Sequence, residues 1–476
     1  MNIIVPQIGW KNVWRNQTRS LVVIVAVMLG IFGGTMATGI MQGWIAQRIH
    51  DVIHLETSHV QIHHPEFQFN EEIMLKINNY PLVASLLDTM PQVEGWSPRV
   101  KIFVMAQSNW AATGFMLKGI TPSQEKKVSE IDEKMVEGSF LEDEYKIPSI
   151  VLGSKTAQNL KLLNYQATAE KMLALDSLEI PKEVTSKIKA LNTKRYRNEY
   201  DFRLELQRML SKKDFEAYGN ILVDHFSFYR MGVNIVLTMQ TLDGEMITPV
   251  FKVRGIYKTS NSNFDGTNAF VDREQLSALL QVDANHVNEI AIIASNAESG
   301  IEVSEKLESY QTSNQVMSWK TISPEIAMYT EFANLIGYIY VLIILLALAF
   351  GIINTMLMSV LERVKELGML MAIGMNKKRV FYMIMFESVF LTLTGALAGL
   401  VFSGTILHIT SKTGISFGMW AEGFEAIGFS AVVYPIMTAT NYLIILILVV
   451  FTGIISSVWP ARKALKLNPS EALRTE

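Results

Sequence analysis

Five of the eight histidines crowd between His50 and His64. On a helix, the four-residue spacing of His50 and His54 would set two imidazoles on one face, an arrangement zinc accepts. His59 and His63 repeat the spacing, but they fall in Ser58-His59-Val60-Gln61-Ile62-His63, whose polar–apolar alternation is that of a half-buried strand. There ~13 Å would separate them. His63 and His64 adjoin Pro65 in an expected turn. Exposed polar histidines account for the cluster more simply, and no metal ligand is assigned. Gly153-Ser154-Lys155-Thr156 has a phosphate-loop flavour but lacks the upstream glycine and the G-K-[ST] ending that build the cradle. H-E-x-x-H does not occur. With no cysteine in the chain, thiol nucleophiles, thiolate metal sites, disulfides and cysteine-linked lipid anchors are excluded as well. No catalytic residue and no cofactor are assigned to this chain, which reads as a non-enzyme.

One carboxylate does need a role. Glu387 lies about two turns inside a long apolar stretch, where an acid costs ~2.5–3.5 kcal/mol on insertion scales. It could hydrogen-bond between subunits, couple to the preceding charged loop, or snorkel to the interface. That loop, Glu362 to Gly374, reads as an amphipathic helix of both charge signs ended by glycine. A short helix between two spans can dock in a groove of a partner. Gly30, Gly34, Gly39 and Gly43 form two small-xxx-small pairs on the first apolar stretch, suited to close helix contact and to packing in a dimer.

The elements that carry these residues are membrane helices. The 476 residues are 49% hydrophobic and only 18% charged, where a soluble protein of this length would carry about a quarter. A formal charge of −3 gives no case for nucleic acid. Four stretches reach the ~20 residues that cross a bilayer: 21–43, 334–360, 380–408 and 441–459. The first reads as an uncleaved anchor. Lys11, Arg15 and Arg19 before the first span, Arg363, Lys365, Lys377, Lys378 and Arg379 in 361–379, and the basic tail 460–476 put both termini and that loop in the cytoplasm. Residues 44–333 and the loop 409–440 then lie outside. Residues 1–20 read as an interfacial helix, with Trp10, Val13 and Trp14 beside the basic stripe. Ser323-Pro324-Glu325 is a helix start, and no proline follows until Pro435, so a helix begun at Pro324 could run to about Ile373. The first span likewise continues unbroken through Ile49. The expected fold is membrane α, four transmembrane helices with two extended as stalks, plus a large α+β extracytoplasmic domain between the first and second.

In that domain Asn234 to Gln240 and Glu245 to Tyr257 read as a hairpin turned at Asp243-Gly244, with Pro249 at an edge or bulge. Ala269 to Val271 and Glu289 to Ala294 read as strands, and Arg273 to Leu280 as a helix. The charged stretch 166–230 should hold two or three surface helices broken at Pro181, with Leu204, Met209 and Phe215 at helix-period apolar positions. A partner-binding arm and a solvated insertion without a role both fit it.

The run Glu362-Arg363-Val364-Lys365-Glu366-Leu367-Gly368-Met369-Leu370-Met371-Ala372-Ile373-Gly374 resembles the E-R-x-x-E-[IL]-G-x-[LM]-x-A-[IL]-G coupling helix of the permeases of MacB, FtsX and lipoprotein-releasing type ABC transporters. Phe386-Glu387-Ser388-Val389, with Gly395 and Gly399 beyond, is similar to that family's third span. Trp459-Pro460-Ala461 through Leu473-Arg474 is similar to its P-A-x-x-A-x-x-x-x-P-x-E-A-L-R tail. The resemblance extends over nearly the whole chain, departing from it at 166–230. It implies a permease in the cytoplasmic (inner) membrane that pairs with a second copy or a paralogue. It also implies a cytoplasmic ATPase partner, holding ATP and Mg, that grips Glu362, Arg363, Lys365, Glu366, Leu367, Gly368, Met369, Ala372 and Gly374. Lipoprotein extraction, MacB-like efflux of a peptide or drug, and FtsX-like activation of a cell-wall hydrolase are the activities it allows. A lipoprotein, a periplasmic carrier or an outer-membrane factor would be the outer partner.

Overall fold

The computed structural model describes residues 4–143, 147–175, 180–189, 191, 194–310 and 313–465. The chain divides into two compact units, one of residues 1–47, 325–421 and 430–476, the other of residues 48–324 and 422–429.

The first unit is built on four helices long and apolar enough to cross a membrane. Each runs past its apolar stretch. The first, Gln17–Asp51, has 35 residues and passes into a π-helical turn at Val52–Thr57. The second, Pro324–Glu362, has 39 residues, ~58 Å at 1.5 Å per residue, with proline at its first position and no break at Gly337. It stops at Glu362 rather than near Ile373, because Arg363 leaves the helical path and a separate helix, Val364–Ala372, follows. The third is Lys377–Thr413, started by the Asn376 side chain accepting from the Lys378 N–H and stopped by Gly414 at φ +73°. The fourth, Ala439–Leu465, carries Pro460 within it, so the tail expected from residue 460 begins inside a helix. The tail motif from Lys466 onward lies outside the described residues.

Ahead of the first span, Ile4–Arg15 is its own helix, separated by a bend at Asn16, and residues 17–20 belong to the span. Gly9 lets this short helix close on the third span. A Cβ there would sit 3.1 Å from Phe386 Cβ and 3.3 Å from the Glu387 nitrogen. Trp10 meets Phe390 edge-on at 5.5 Å. The four spans share one apolar core that includes Val27, Ile31, Ile352, Met356, Ile384, Leu391 and Val449.

The second unit is a mixed eleven-stranded sheet. In spatial order its main path is Gln315–Ser318, Val60–His63, Glu289–Ala294, Val93–Gln107, Ala112–Ile120, Asn268–Asp272, Ser149–Gly153, Val250–Tyr257, Asn234–Gln240 and Met246–Ile247. Met135–Gly138 also pairs with Val250–Tyr257. Because Met105 to Gln107 pair back with Val236 to Thr238, the strands from Val93–Gln107 round to Asn234–Gln240 close a six-strand ring. The 15-residue strand Val93–Gln107 serves two layers. Its first half pairs with Glu289–Ala294 over a core of Val60, Ile62, Val83, Leu87 and Ile290, and its second half pairs with Ala112–Ile120 over the ring's own core of Val104, Phe115, Leu117, Ile235 and Phe251. The expected hairpin forms with Gly244 at φ +83°, and Pro249 interrupts its second arm between Ile247 and Val250.

The charged stretch is more than surface helices. Its four helices, Ala169–Ala174, Lys182–Ile188, Glu199–Met209 and Lys212–Phe226, enclose a small core of their own. A two-strand clasp, Leu163–Tyr165 against Ser227–Tyr229, closes it at the root. Phe202, Leu206, Leu222 and Phe226 fill that core, whereas Leu204 is exposed and Met209 and Phe215 are half-buried. Met209, seven residues after Phe202, and Phe215, seven before Leu222, lie on the core-facing stripes and pack at the edge of that core, and only Leu204 falls off them.

Candidate functional site

The short helix Val364–Ala372 sits between the second and third spans with one face in and one face out. Leu367 and Gly368 are buried against the membrane core. Lys365, Met369, Ala372 and Ile373, on one side of this helix, are exposed, with Ile373 at 80% and Met369 at 52%. Gly374, at φ +102°, ends the helix: its N–H reaches the Met371 carbonyl and the Met375 N–H reaches that of Leu370, both from a left-handed conformation only glycine adopts freely. A base and three apolar groups thus share one outward stripe. Such a stripe suits docking.

The inward side is tied down by charge. Arg363, at the helix N-cap, gives one guanidinium nitrogen to Glu387 at 3.0 Å and another to Glu366 at 3.1 Å. Glu366 in turn accepts from Arg15 at 2.6 Å. Ser359, on the last turns of the second span, donates to Glu387 at 3.5 Å. The result is a ladder, Arg15–Glu366–Arg363–Glu387–Ser359, joining the N-terminal helix, the docking helix and the second and third spans. It lines a cleft of about 250 Å³ together with Asn12, Asn16, Ser20, Thr355, Glu362 and Leu391. Exposure falls along it, from 53% at Arg15 and 45% at Glu366 to 15% at Arg363 and 8% at Glu387. The hydrogen bond from Arg15, then that from Arg363, holds the Glu366 carboxyl below the usual carboxylate range.

Glu387 therefore has its partner within this chain. Of the roles the sequence left open, contact with the loop is the one the geometry contains. Arg15 and Ser359 entered no sequence-level site. The basic stripe of the N-terminal helix was the available signal for Arg15, and Ser359 had none beyond its place four residues before Arg363.

The first-span glycines have neighbours within the chain. A Cβ on Gly30 would meet Leu348 Cδ1 at 2.9 Å, one on Gly34 Ile344 Cδ1 at 3.7 Å, one on Gly39 Leu407 Cδ2 at 2.9 Å, and one on Gly43 the Pro435 Cα at 3.0 Å. At Gly30, Gly39 and Gly43 close approaches are made inside the chain, with the second span, the third span and the loop before the fourth, while Gly34 has only an ordinary contact with the second span. The sequence pattern also missed Gly395 and Gly399 as packing residues: Cβ atoms there would press on Val27 Cβ at 2.7 Å and Ile31 Cβ at 3.0 Å of the first span.

The histidines require a correction. His59 and His63 are buried, not exposed. His59 Nδ1 accepts from the Ala294 N–H at 3.1 Å, and burial lowers its pKa to about 4. His63 Nε2 lies 2.9 Å from Gln61 Oε1 and 3.5 Å from Glu289. Glu289 belongs to a second charge cluster that no sequence motif marked. Arg99 bonds Glu125 at 2.6 Å and Glu289 at 2.7 Å, Lys101 reaches Glu289 at 3.1 Å, and Ser97 donates to Glu125 at 2.7 Å. Burial opposes charge on Glu289, but the cations of Lys101 and Arg99 and the hydrogen bond with His63 hold its carboxyl well below the usual range.

Residues 338–469 match the family model described as FtsX-like permease C-terminal. The macrolide export ATP-binding/permease protein MacB of Chlorobaculum tepidum is 32% identical over 126 residues, 26% of this chain and 17% of that protein. An uncharacterized ABC transporter permease, MJ1507, of Methanocaldococcus jannaschii is 34% identical over 160 residues, 33% of this chain and 36% of that protein. The uncharacterized ABC transporter permease YknZ of Bacillus subtilis is 31% identical over 166 residues, 35% of this chain and 38% of that one. The chain thus spans well under half the length of these relatives. Among solved structures, the extracellular domain of YknZ from Gram-positive bacteria aligns with 55% of this chain at 13% identity and TM-score 0.28. The periplasmic region of MacB from Actinobacillus actinomycetemcomitans aligns with 59% at 10% identity and TM-score 0.31. The short helix Val364–Ala372, the ladder from Ser359 to Glu387 without Arg15, most of the second span and all of the third and the described part of the fourth fall inside the matched segment, and it is over residues 338–469 that the chain is similar to FtsX-like permeases.

Proposed function

We propose that this chain is the permease subunit of an ABC-type machine, which turns the closure of a cytoplasmic ATPase into motion of its large extracytoplasmic domain. The observation that carries this reading is the ladder Arg15–Glu366–Arg363–Glu387. A helix that only reversed the chain between two spans would need no buried ion pair to a neighbouring span. A helix that must pass on force does, because a push on the Lys365–Met369–Ile373 stripe is transmitted through Arg363 to the third span without slack.

In this reading both termini and the docking helix face the cytoplasm, and residues 48–324 face outward. ATP and Mg are held by the partner, and a second copy or a paralogue completes the permease. The likeness to a macrolide exporter and to other ABC permeases favours moving an amphiphile, either a lipoprotein drawn from the outer leaflet or a peptide or drug exported from the periplasm.

The native chain has no cysteine, so a single one reports cleanly. Met369→Cys, cross-linked in native membranes, should form an adduct with an ATP-binding subunit, and Met246→Cys should not. A membrane-impermeant maleimide added to intact spheroplasts should label Met246→Cys and spare Met369→Cys. A reversed labelling pattern, or an ATPase adduct at Met246→Cys only, overturns the proposal.

A further inference from the structure

We infer a divalent transition-metal site, with zinc as its first occupant, formed by His50, His54 and Glu130 where the first long helix passes into its π-helical turn. His50 lies on the last turn of Gln17–Asp51 and His54 on Val52–Thr57. Their rings stack in near-parallel fashion, 4.3 Å between centroids at 25°. Glu130 arrives from the loop before Ile131–Lys134, and its N–H bonds the His54 carbonyl at 2.8 Å, which fixes where its side chain starts.

The distances separate a ligand set from a hydrogen-bond set. Glu130 Oε1 lies 3.6 Å from His50 Nε2 and 3.5 Å from His54 Nδ1. Both exceed the 2.7–3.2 Å of a hydrogen bond. Both match the edge of a tetrahedron, about 3.4 Å, around a metal with bonds of about 2.0–2.1 Å. The ligand atoms of all three residues fall within 4.8 Å of one another. The other nitrogen of His50, Nδ1, faces the Asp51 carboxylate at 4.0 Å, the kind of outer partner that orients a metal-bound imidazole. His54 and Glu130 are about 30% exposed and His50 53%, so an ion can enter and a water can take the fourth position. Two imidazoles and one carboxylate suit zinc, and nickel or cobalt after it, over magnesium or calcium.

The backbone is adapted at the same place. The helix widens so that the Ser58 N–H bonds the Ile53 carbonyl at 2.8 Å, with Ser58 itself at φ +66°. Single π-turns of this kind recur at functional sites. A bound ion would tie His50 and His54 to a loop 76 residues on in sequence from His54, all three ligands lying within the second unit.

The test uses the full chain in detergent, purified without a histidine tag and stripped with chelator. Competition against a chromophoric zinc chelator should give one site per chain. His50→Gln and Glu130→Gln should each weaken it at least 10-fold, while His64→Gln leaves it unchanged. Cobalt substituted into the unmutated chain gives a readout independent of how the variants fold: intense visible bands of four-coordinate cobalt support the site. No saturable zinc binding, binding retained in both variants, or only the weak bands of six-coordinate cobalt overturns it.

Discussion

The chain holds two charge clusters built from the same residue types, and they are made for different work. Around Arg99 the inner members are enclosed: Arg99 is 4% exposed, Glu125 1% and Glu289 2%, with Lys101 at 12% and reaching the half-exposed Glu71 at 3.6 Å on its outer side. Two carboxylates face two cations, and Ser97 and His63 take up further oxygens. The cluster stands where the strand Val93–Gln107 changes partners, at Arg99 and Val100. It fixes that changeover. Around Arg363 the charges run from open water to the interior, and the outer rung, Arg15–Glu366, is half-exposed at both ends. A sealed cluster locks one arrangement, because any departure strands a charge. A graded one can release its outer rung at little cost while the inner rung holds, as a part that transmits motion requires.

The sharpest way to break this contrast is at Arg99. Arg99→Ala leaves two buried carboxylates facing each other, and losing one side of a buried pair typically costs about 3–5 kcal/mol. The variant should fail to yield a protease-resistant outer domain when the full chain is digested in membranes. A triple replacement, Arg99→Met with Glu125→Gln and Glu289→Gln, removes the stranded charge and should recover most of the resistance. Normal resistance in Arg99→Ala would mean that the cluster locks nothing.

Arg363→Ala should come next. It leaves Glu387 without its ion pair inside a span, where an acid costs ~2.5–3.5 kcal/mol. Loss of chain from the membrane fraction and a lower unfolding midpoint in detergent are expected. Adding Glu387→Gln should restore the midpoint but not the coupling, so that stimulation of the partner ATPase stays lost. If Glu387→Gln alone leaves both transport and ATPase stimulation normal, the inner rung is structural only.

Lys118 tests the outer domain from another side. It is fully buried beside the sealed cluster, and desolvation lowers its pKa from 10.5 to about 7, although Phe264 and Phe270 offer ring faces at 5.0 and 5.8 Å. Between pH 7 and 10.5 the unfolded chain holds a proton that the folded chain has shed, so stability rises with pH across that window and falls away as pH drops toward 7. The slope can reach about 1.4 kcal/mol per pH unit. Lys118→Met should abolish it and raise stability near pH 7 by about 1–2 kcal/mol. Urea midpoints of the full chain at pH 7.5 and 9.5 would show an unchanged slope if Lys118 stays charged throughout.

The two clusters were not equally legible in the sequence. Apolar length alone marks the spans, and Pro324 and Gly374 mark where helices start and stop, because those signals are local. Glu387 stood out for the same reason, as one acid in an apolar run. Its partner could not be read, since Arg363 is 24 residues away and the pairing depends on how the third span leans on the docking helix. Arg99, Glu125 and Glu289 carry no local oddity at all. They sit in ordinary strand and helix surroundings and become unusual only when three separate segments meet. The glycines were ambiguous for a related reason: a small-xxx-small pair says that something comes close, and not whether it belongs to the same chain. His50 and His54 were readable as a pair, but Glu130 was not readable as their neighbour.

The smallest expected effect is at the outer rung. Arg15→Ala removes a pair that is about half-exposed at both ends, and such pairs contribute about 0.2–1 kcal/mol. The unfolding midpoint should barely move, and what shift there is should vanish at 1 M salt, where the screening length drops to about 3 Å. Coupling is a different quantity. If the N-terminal helix steadies the docking helix through Glu366, then Arg15→Ala should lower ATPase stimulation at low salt, and raising the salt should bring the unmutated chain down to the same level. Arg15→Lys, which keeps the charge but replaces the planar guanidinium whose Nη2 donates to both carboxylate oxygens, should fall between the two. Equal stimulation in all three chains at low salt would make the outer rung a bystander and leave the inner pair, Arg363 with Glu387, to carry the motion alone.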